Sequence, residues 1–310
     1  MKKASFSEVA ALWSADKRLY VKLSSYALYT TLTSKHILPW FEAHPTVNGE
    51  NIQAFVNALS RDGLSASTIK NIVLILRMIL RFGANLGAWP AADFKVRYPP
   101  ESRPAQALPL MSRKDQQHLC RHLKSNPNPR NLGILLCLQS GLRIGEICAL
   151  QWRDIDVRFG ILHISKTLRR IYYRTGDERV YTLEIGLPKT GSSVRDVPLS
   201  AQMCRLLRPL KKCAHEDDYL VSGCSTPLEP RYYRSCFAVL LRTLGIAPVR
   251  FHALRHSFAT RCIESGCDYK TVSSILGHSA ISTTLDLYVH PGLSEKKKCL
   301  EKMLRINRLE

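Results

Sequence analysis

No run in this chain of 310 residues approaches the roughly 20 consecutive apolar residues that a membrane-spanning helix needs. The opening Met1-Lys2-Lys3 leads into polar sequence of helical pattern, so no secretory signal peptide is expected. The ten cysteines contain no C-x-x-C pair, which removes the usual spacing of a zinc ribbon or a thiol redox site. Cys137, Cys148 and Cys236 fall instead inside apolar helical patterns, the signature of buried free thiols in a reducing, cytoplasmic compartment. Internal repeats and low-complexity segments are also missing. Acidic residues are scarce: 25 Asp+Glu stand against 45 Lys+Arg, a formal net charge of +20.

A balance this far from neutral implies a polyanionic partner, and without a spanning segment that partner is nucleic acid rather than membrane. The plain alternative is a basic surface tuned for solubility. The excess is spread along the chain. Residues 1–90 hold 10 Lys+Arg and 5 Asp+Glu, and the other 15 net positive charges lie in residues 91–310. Both halves therefore suit a clamp, and the length suits two ordinary domains with real cores.

Apolar periodicity predicts four helices in the first ninety residues. Phe6, Val9, Ala10 and Trp13 mark the first. Tyr26, Tyr29, Leu32 and Ile37 mark a second, stopped near Pro39. Ile52, Phe55, Val56 and Leu59 mark a third that ends at Gly63. Ser65 caps a fourth, with Ile69, Ile72, Val73, Leu76, Ile79 and Leu80 on one broad stripe. Pro90, Pro99, Pro100, Pro104 and Pro109 then make 89–109 read as an extended linker, the alternative being a surface loop within one domain. Domains are expected at 1–88 and 110–310. Ser112 with Asp115 opens a new helix, Asn131 to Gln139 forms another, and Arg143 after Gly141 opens one running to Leu150. The period then becomes two. Leu162, Ile164 and Leu168 alternate with polar residues, as do Tyr181, Leu183, Ile185 and Leu187. Gly176-Asp177 and Thr190 to Ser193 supply turns before Val194 to Val197. These runs predict one three-stranded antiparallel sheet. Helices resume at Ser200 and continue to the end, making the whole α+β but mainly α.

The residues with chemical promise lie far apart. His252 and Arg255 share a helix face. Arg143 sits at a predicted helix start, where backbone N–H groups also favour an anion. Tyr288 closes the series, ten residues after His278. Singly, each is ordinary: a solvated face, a surface arginine, a packed aromatic. Together they suit a phosphodiester. Two guanidiniums hold non-bridging oxygens in bidentate geometry and stay charged at any working pH. Such electrostatics stand in for a metal, and losing one donor costs about 3–4 kcal/mol. A tyrosine hydroxyl, with a pKa of about 10 in water, becomes a usable nucleophile when cations stabilise its phenolate. Lys189, in a predicted hairpin, suits protonation of the leaving oxygen; Lys166 is its rival. His252 and His278 are placed to bond the phosphate or manage the tyrosine proton. The four-residue spacing of His252 and His256 matches a zincin helix, but Ala253 stands where the general-base Glu belongs, so no metal or cofactor is expected.

In these residues the chain resembles the tyrosine recombinases of the phage integrase family, over nearly its whole length. Ser140-Gly141-Leu142-Arg143-Ile144-Gly145-Glu146 resembles the first arginine box. Leu187-Pro188-Lys189-Thr190-Gly191 resembles the β-hairpin lysine segment, supported by the following Val194 to Leu199. His252-Ala253-Leu254-Arg255, Leu276-Gly277-His278 and Thr284-Leu285-Asp286-Leu287-Tyr288 match the remaining boxes in order. The resemblance implies a four-helix, SAM-like core-binding domain followed by a helical catalytic domain. The implied catalytic residues are Arg143, Lys189, His252, Arg255, His278 and Tyr288, with Glu146 and His256 orienting their neighbours. It implies a 3′-phosphotyrosyl intermediate formed without ATP or Mg²⁺. It also implies a homotetramer on double-stranded DNA bearing paired inverted-repeat core sites, with accessory DNA-bending or directionality proteins in some systems. Only a few residues precede the first helix, so the two-domain Xer-like resolvases, invertases and compact mobile-element integrases are the nearer comparison. The last apolar residues, Leu300, Met303, Leu304 and Ile306, suit a helix packed either on a neighbouring protomer or on its own domain. The competing classes are a non-catalytic DNA-binding protein, a type IB topoisomerase and, last, a zinc hydrolase.

Overall fold

A computed structural model describes residues 5–91, 94–100, 110–175, 178–188 and 191–278, together with 297, 300, 301, 303 and 304. Lys189 and Tyr288 lie outside the described residues, as do the Gly176-Asp177 turn and positions 101–109. The described chain is mainly helical with two small sheets. It divides into two units, residues 1–106 with 171–182, and residues 107–170 with 183–310.

In the first unit, α1 (Phe6–Arg18) starts at a full capping box. Glu8 N–H donates to Ser5 Oγ at 3.2 Å and Ser5 N–H donates to Glu8 Oε2 at 2.7 Å. The second helical run does not stop at Pro39. Helix α2 (Leu23–Leu32) passes through a π turn at Thr33–Ile37 into α3 (Leu38–Ala43). A proline removes one helical donor and crowds the carbonyl four residues back. The wider π turn just before it relieves that crowding, and Leu38 N–H donates to Thr33 O across it. Helices α4 (Gly49–Arg61) and α5 (Ala66–Asn85) start at Asn48 and Ser65, whose side chains accept from Asn51 N–H and Thr68 N–H. Their apolar stripes meet α1 and α3 in one core built on Trp13, Phe41, Phe55, Ile69, Ile72 and Leu76.

The proline-rich segment is tied down where it is described. Trp89 stacks on Phe6 at 5.8 Å and donates from Nε1 to Leu80 O at 2.8 Å. Its ring lies so close to α5 that a Cβ on Gly83 would fall 2.1 Å from it. Farther along, Arg97 exchanges two hydrogen bonds with the Gln53 side chain, at 2.9 and 3.0 Å. Phe94, Val96 and Tyr98 pack against the same core.

The second unit opens with α6 (Arg113–Ser125), capped by Ser112, and α7 (Pro129–Ser140), capped by Asn128. Helix α7 carries buried residues all round and forms the centre of the core. The short α8 (Ile144–Cys148) follows. The sheet differs from the sequence expectation. Strands β1 (Ile155–Asp156), β2 (Ile161–Ile164) and β5 (Arg195–Pro198) form the three-stranded sheet in the order β1-β2-β5, with Leu162 opposite Ile155 and Val197. Strands β3 (Thr167–Thr175) and β4 (Glu178–Gly186) pair separately. The alternating run breaks at Ser165-Lys166, where Lys166 Nζ donates to Gln151 Oε1 at 3.0 Å. On β4 the apolar phase faces outward: Tyr181, Leu183 and Ile185 are exposed, as is Leu187 just beyond. Helices α9 (Ala201–Cys213), α10 (Pro230–Thr243), α11 (His252–Glu264) and α12 (Tyr269–Leu276) complete the unit. In the C-terminal stretch, the described Leu300 and Met303 are exposed.

Candidate functional site

Two helix ends and one helix start meet at the site. Helix α7 ends at Gly141, φ +67°, and α12 ends at Gly277, φ +66°. Both glycines are needed for space as well as for handedness. A Cβ on Gly141 would lie 2.6 Å from Leu276 Cδ2 and from Phe258 Cδ1, and one on Gly277 would lie 2.9 Å from Ser192 O. These two C-termini turn their last carbonyls inward, the negative ends of their helices.

The arginines bond to those carbonyls. Arg255, only 2% exposed, donates from Nη1 to Gly141 O and from Nη2 to Leu276 O, both at 2.8 Å. Arg143 Nη2 donates to Gly277 O at 3.1 Å. The boxes around residues 141, 255 and 277 thus interlock through backbone atoms. Gly145 permits the approach of α8 to β3, since a Cβ there would lie 2.5 Å from Thr167 Oγ1 and 2.7 Å from Leu168 O.

The start of α8 is not open to an outside anion. Arg143 is its N-cap, and the buried Glu146 carboxylate fills that position. Arg143 N–H donates to Glu146 Oε2 at 2.9 Å and Arg143 Nη1 to Glu146 Oε1 at 2.8 Å. A second arginine flanks the same carboxylate: Arg195 Nη1 and Nη2 reach Glu146 Oε1 and Oε2 at 3.1 and 3.0 Å. Burial pushes the Glu146 carboxyl up, but Arg195 and Arg143 outweigh it and hold the pKa below the ordinary value.

The histidines share this positive field. His252 keeps an exposed edge at the first turn of α11. Burial of the rest of its ring, then Arg255 and Arg143, lower its pKa. His278 is lowered to about 4 by burial and by Arg255, Arg143, Arg195 and His252. His256, buried and edge-to-face with His252 at 4.4 Å, also falls to about 4, through burial, His252 and Arg255. At neutral pH His256 and His278 are uncharged and the same field disfavours charge on His252, so the cluster's positive charge rests mainly on its arginines.

The structure therefore gathers Arg143, His252, Arg255 and His278 from three distant segments. Lys166 is engaged elsewhere, with Gln151 and, at 3.7 Å, Asp154. Arg195 was not foreseen, although its signal was there: it shares the inward phase of β5 with buried Val197, an odd place for a cation without a buried partner. Among the described residues no group of His, Cys, Asp and Glu is arranged to hold a metal ion, and no helix is long and apolar enough to cross a membrane.

The chain is similar to several known proteins. A tyrosine recombinase XerC-like protein of Caldanaerobacter subterraneus is 26% identical over 272 residues, covering 81% of this chain and 69% of the relative. The ICEBs1 integrase of Bacillus subtilis is 24% identical over 319 residues, covering 96% of this chain and 82% of the relative. The Tn1549 transposon integrase, solved with circular intermediate DNA, shares the fold with a TM-score of 0.70 and 21% identity over 95% of this chain and 99% of that one. The model of the phage integrase family matches residues 109–294, and the chain belongs to that family.

Proposed function

We propose that Arg143, His252, Arg255 and His278 hold the scissile phosphate, that Tyr288 is the nucleophile and that Lys189 is the general acid. The chain is a tyrosine-type site-specific recombinase, an enzyme that cleaves and rejoins DNA. The observation that carries the residue assignment is the interlock of three boxes: Arg255 on the carbonyls of Gly141 and Leu276, and Arg143 on that of Gly277, beside His278. It fixes two guanidiniums before substrate arrives, so little reorganisation accompanies the reaction.

In the cycle, the Tyr288 oxygen attacks phosphorus as its proton passes to a histidine ring of the cluster, the bond to the 5′-oxygen breaks, and Lys189 gives that oxygen a proton. A 3′-phosphotyrosyl link holds the bond energy. A 5′-hydroxyl from the partner duplex then attacks the link, releasing Tyr288, whose oxygen regains a proton. The two arginines neutralise charge on the non-bridging oxygens. His252 and His278, in which burial and the arginines disfavour the charged form, supply ring hydrogen bonds. Residues 1–88 serve as a helical core-binding domain and 110–310 as the catalytic domain, joined by 89–109. The functional form is a tetramer on paired core sites. A lambda integrase tetramer bound to a Holliday junction, with a TM-score of 0.62, supports that reading.

The test is a plasmid carrying two copies of the DNA that flanks the gene. Wild type is expected to exchange the two sites and Tyr288→Phe to leave them intact. Relaxation of supercoils with no exchange would assign the chemistry to a single-duplex topoisomerase instead.

A further inference from the structure

Arg195 lies opposite Ile164 on β5, with its side chain 6% exposed. Besides its two bonds to Glu146, it donates from Nη1 to Ser193 O at 3.0 Å and from Nε to Ile275 O at 2.5 Å. A single carboxylate, 2% exposed, is thus held between two guanidiniums, Arg143 on one side and Arg195 on the other. Guanidiniums stay protonated at any working pH. With Arg255 included, the described residues of the cluster carry three positive charges against one negative charge, two in excess. A phosphodiester brings one negative charge, and a second builds on its oxygens as a phenolate oxygen joins phosphorus. The excess matches the transition state rather than the ground state.

We infer that Arg195 is a positioning residue that takes up the charge of Glu146, leaving the charge of Arg143 for the scissile phosphate. This rests on the site assignment above. Without Arg195, Glu146 would pair with Arg143 alone, and the cluster would keep one excess charge instead of two. Because the loss falls on the transition state, the cleavage step slows while ground-state DNA binding changes little. If charge is what matters, removing the Glu146 charge as well restores the balance.

The experiment measures single-turnover cleavage at saturating DNA, per active molecule, for Arg195→Gln, Arg195→Lys, the double variant Arg195→Gln/Glu146→Gln, and Arg143→Gln as reference. Thermal melting of each variant is recorded beside the rates, since a half-broken buried ion pair also lowers stability. Arg195→Gln is expected to slow cleavage about 10- to 100-fold, the usual cost of losing a group that orients a reacting one. The double variant recovers most of that loss, and Arg195→Lys, which keeps the charge but not the fork, loses less than Arg195→Gln. Two outcomes overturn the inference: a double variant no faster than Arg195→Gln, or a folded Arg195→Lys as slow as Arg195→Gln. Wild-type cleavage by Arg143→Gln would instead overturn the underlying site assignment.

Discussion

Gly141→Ala tests the packing of the site without touching a charged group. Two costs add. The left-handed backbone at φ +67° costs an alanine about 1–2 kcal/mol. The new methyl also lands 2.6 Å from both Leu276 Cδ2 and Phe258 Cδ1. Overpacking of this kind typically costs about 1–3 kcal/mol, so the total is about 2–5 kcal/mol. Gly245 provides an internal control: its φ is +64°, yet a Cβ there meets nothing within 4 Å. Gly245→Ala should therefore show the backbone cost alone. The assay is urea unfolding of the full chain, followed through the transition of the second unit, residues 107–170 with 183–310. Gly141→Ala is expected to exceed Gly245→Ala by about 1–3 kcal/mol. Cleavage should fall too, because Gly141 O and Leu276 O anchor Arg255. Equal destabilisation by the two substitutions would refute the claim that the end of α7 is packed against α11 and α12.

Further outcomes follow from the same geometry. Arg255→Lys cannot reproduce the two-carbonyl fork and should slow single-turnover cleavage by about 10²- to 10³-fold, far more than it weakens DNA binding; comparable losses in both would contradict the anchoring role. His256 and His278 have folded pKa values near 4 against about 6.5 unfolded, so the unfolded chain binds more protons at acid pH. Stability should be full above that unfolded value and decline as pH falls from about 6.5 towards 4. His278→Gln should shrink the decline, and a urea midpoint that rises on acidification would oppose it. In the first unit, Gly83→Ala drives a methyl into Trp89 and should cost about 1–3 kcal/mol, with a shift in tryptophan emission; an unchanged spectrum would mean the ring does not rest on α5.

The helices were legible because helical periodicity survives in single sequences: Ser65, Ser112 and Ser200 begin helices just before apolar stripes, and the structure uses each as an N-cap. The sheet was less legible. Ile155-Asp156 is too short to show alternation, and Leu162 to Leu168 reads as one strand although it belongs to two. On β4, alternation gave the strand, but its apolar phase is exposed, since a two-stranded ribbon need not bury it. Pro39 was read as a stop because a π turn leaves no sequence mark. At the site, spacing nominated Arg143, His252, Arg255 and His278, and the fold brings them together. It gave no view of Glu146 filling the start of α8, nor of Arg195 on its far side. Glu146 reaches Arg143 three residues away, within its own box, whereas Arg195 arrives only through long-range packing between β5 and α8, which no local pattern encodes.

The central claim is that Tyr288 becomes covalently joined to DNA. The direct measurement is to trap the protein on a nicked duplex in EDTA, digest the adduct, and identify the peptide carrying the nucleotide by mass spectrometry. A 3′-phosphotyrosyl nucleotide on Tyr288, absent in Tyr288→Phe, is the expected result. A nucleotide on any other residue, or an adduct that persists in Tyr288→Phe, would contradict it.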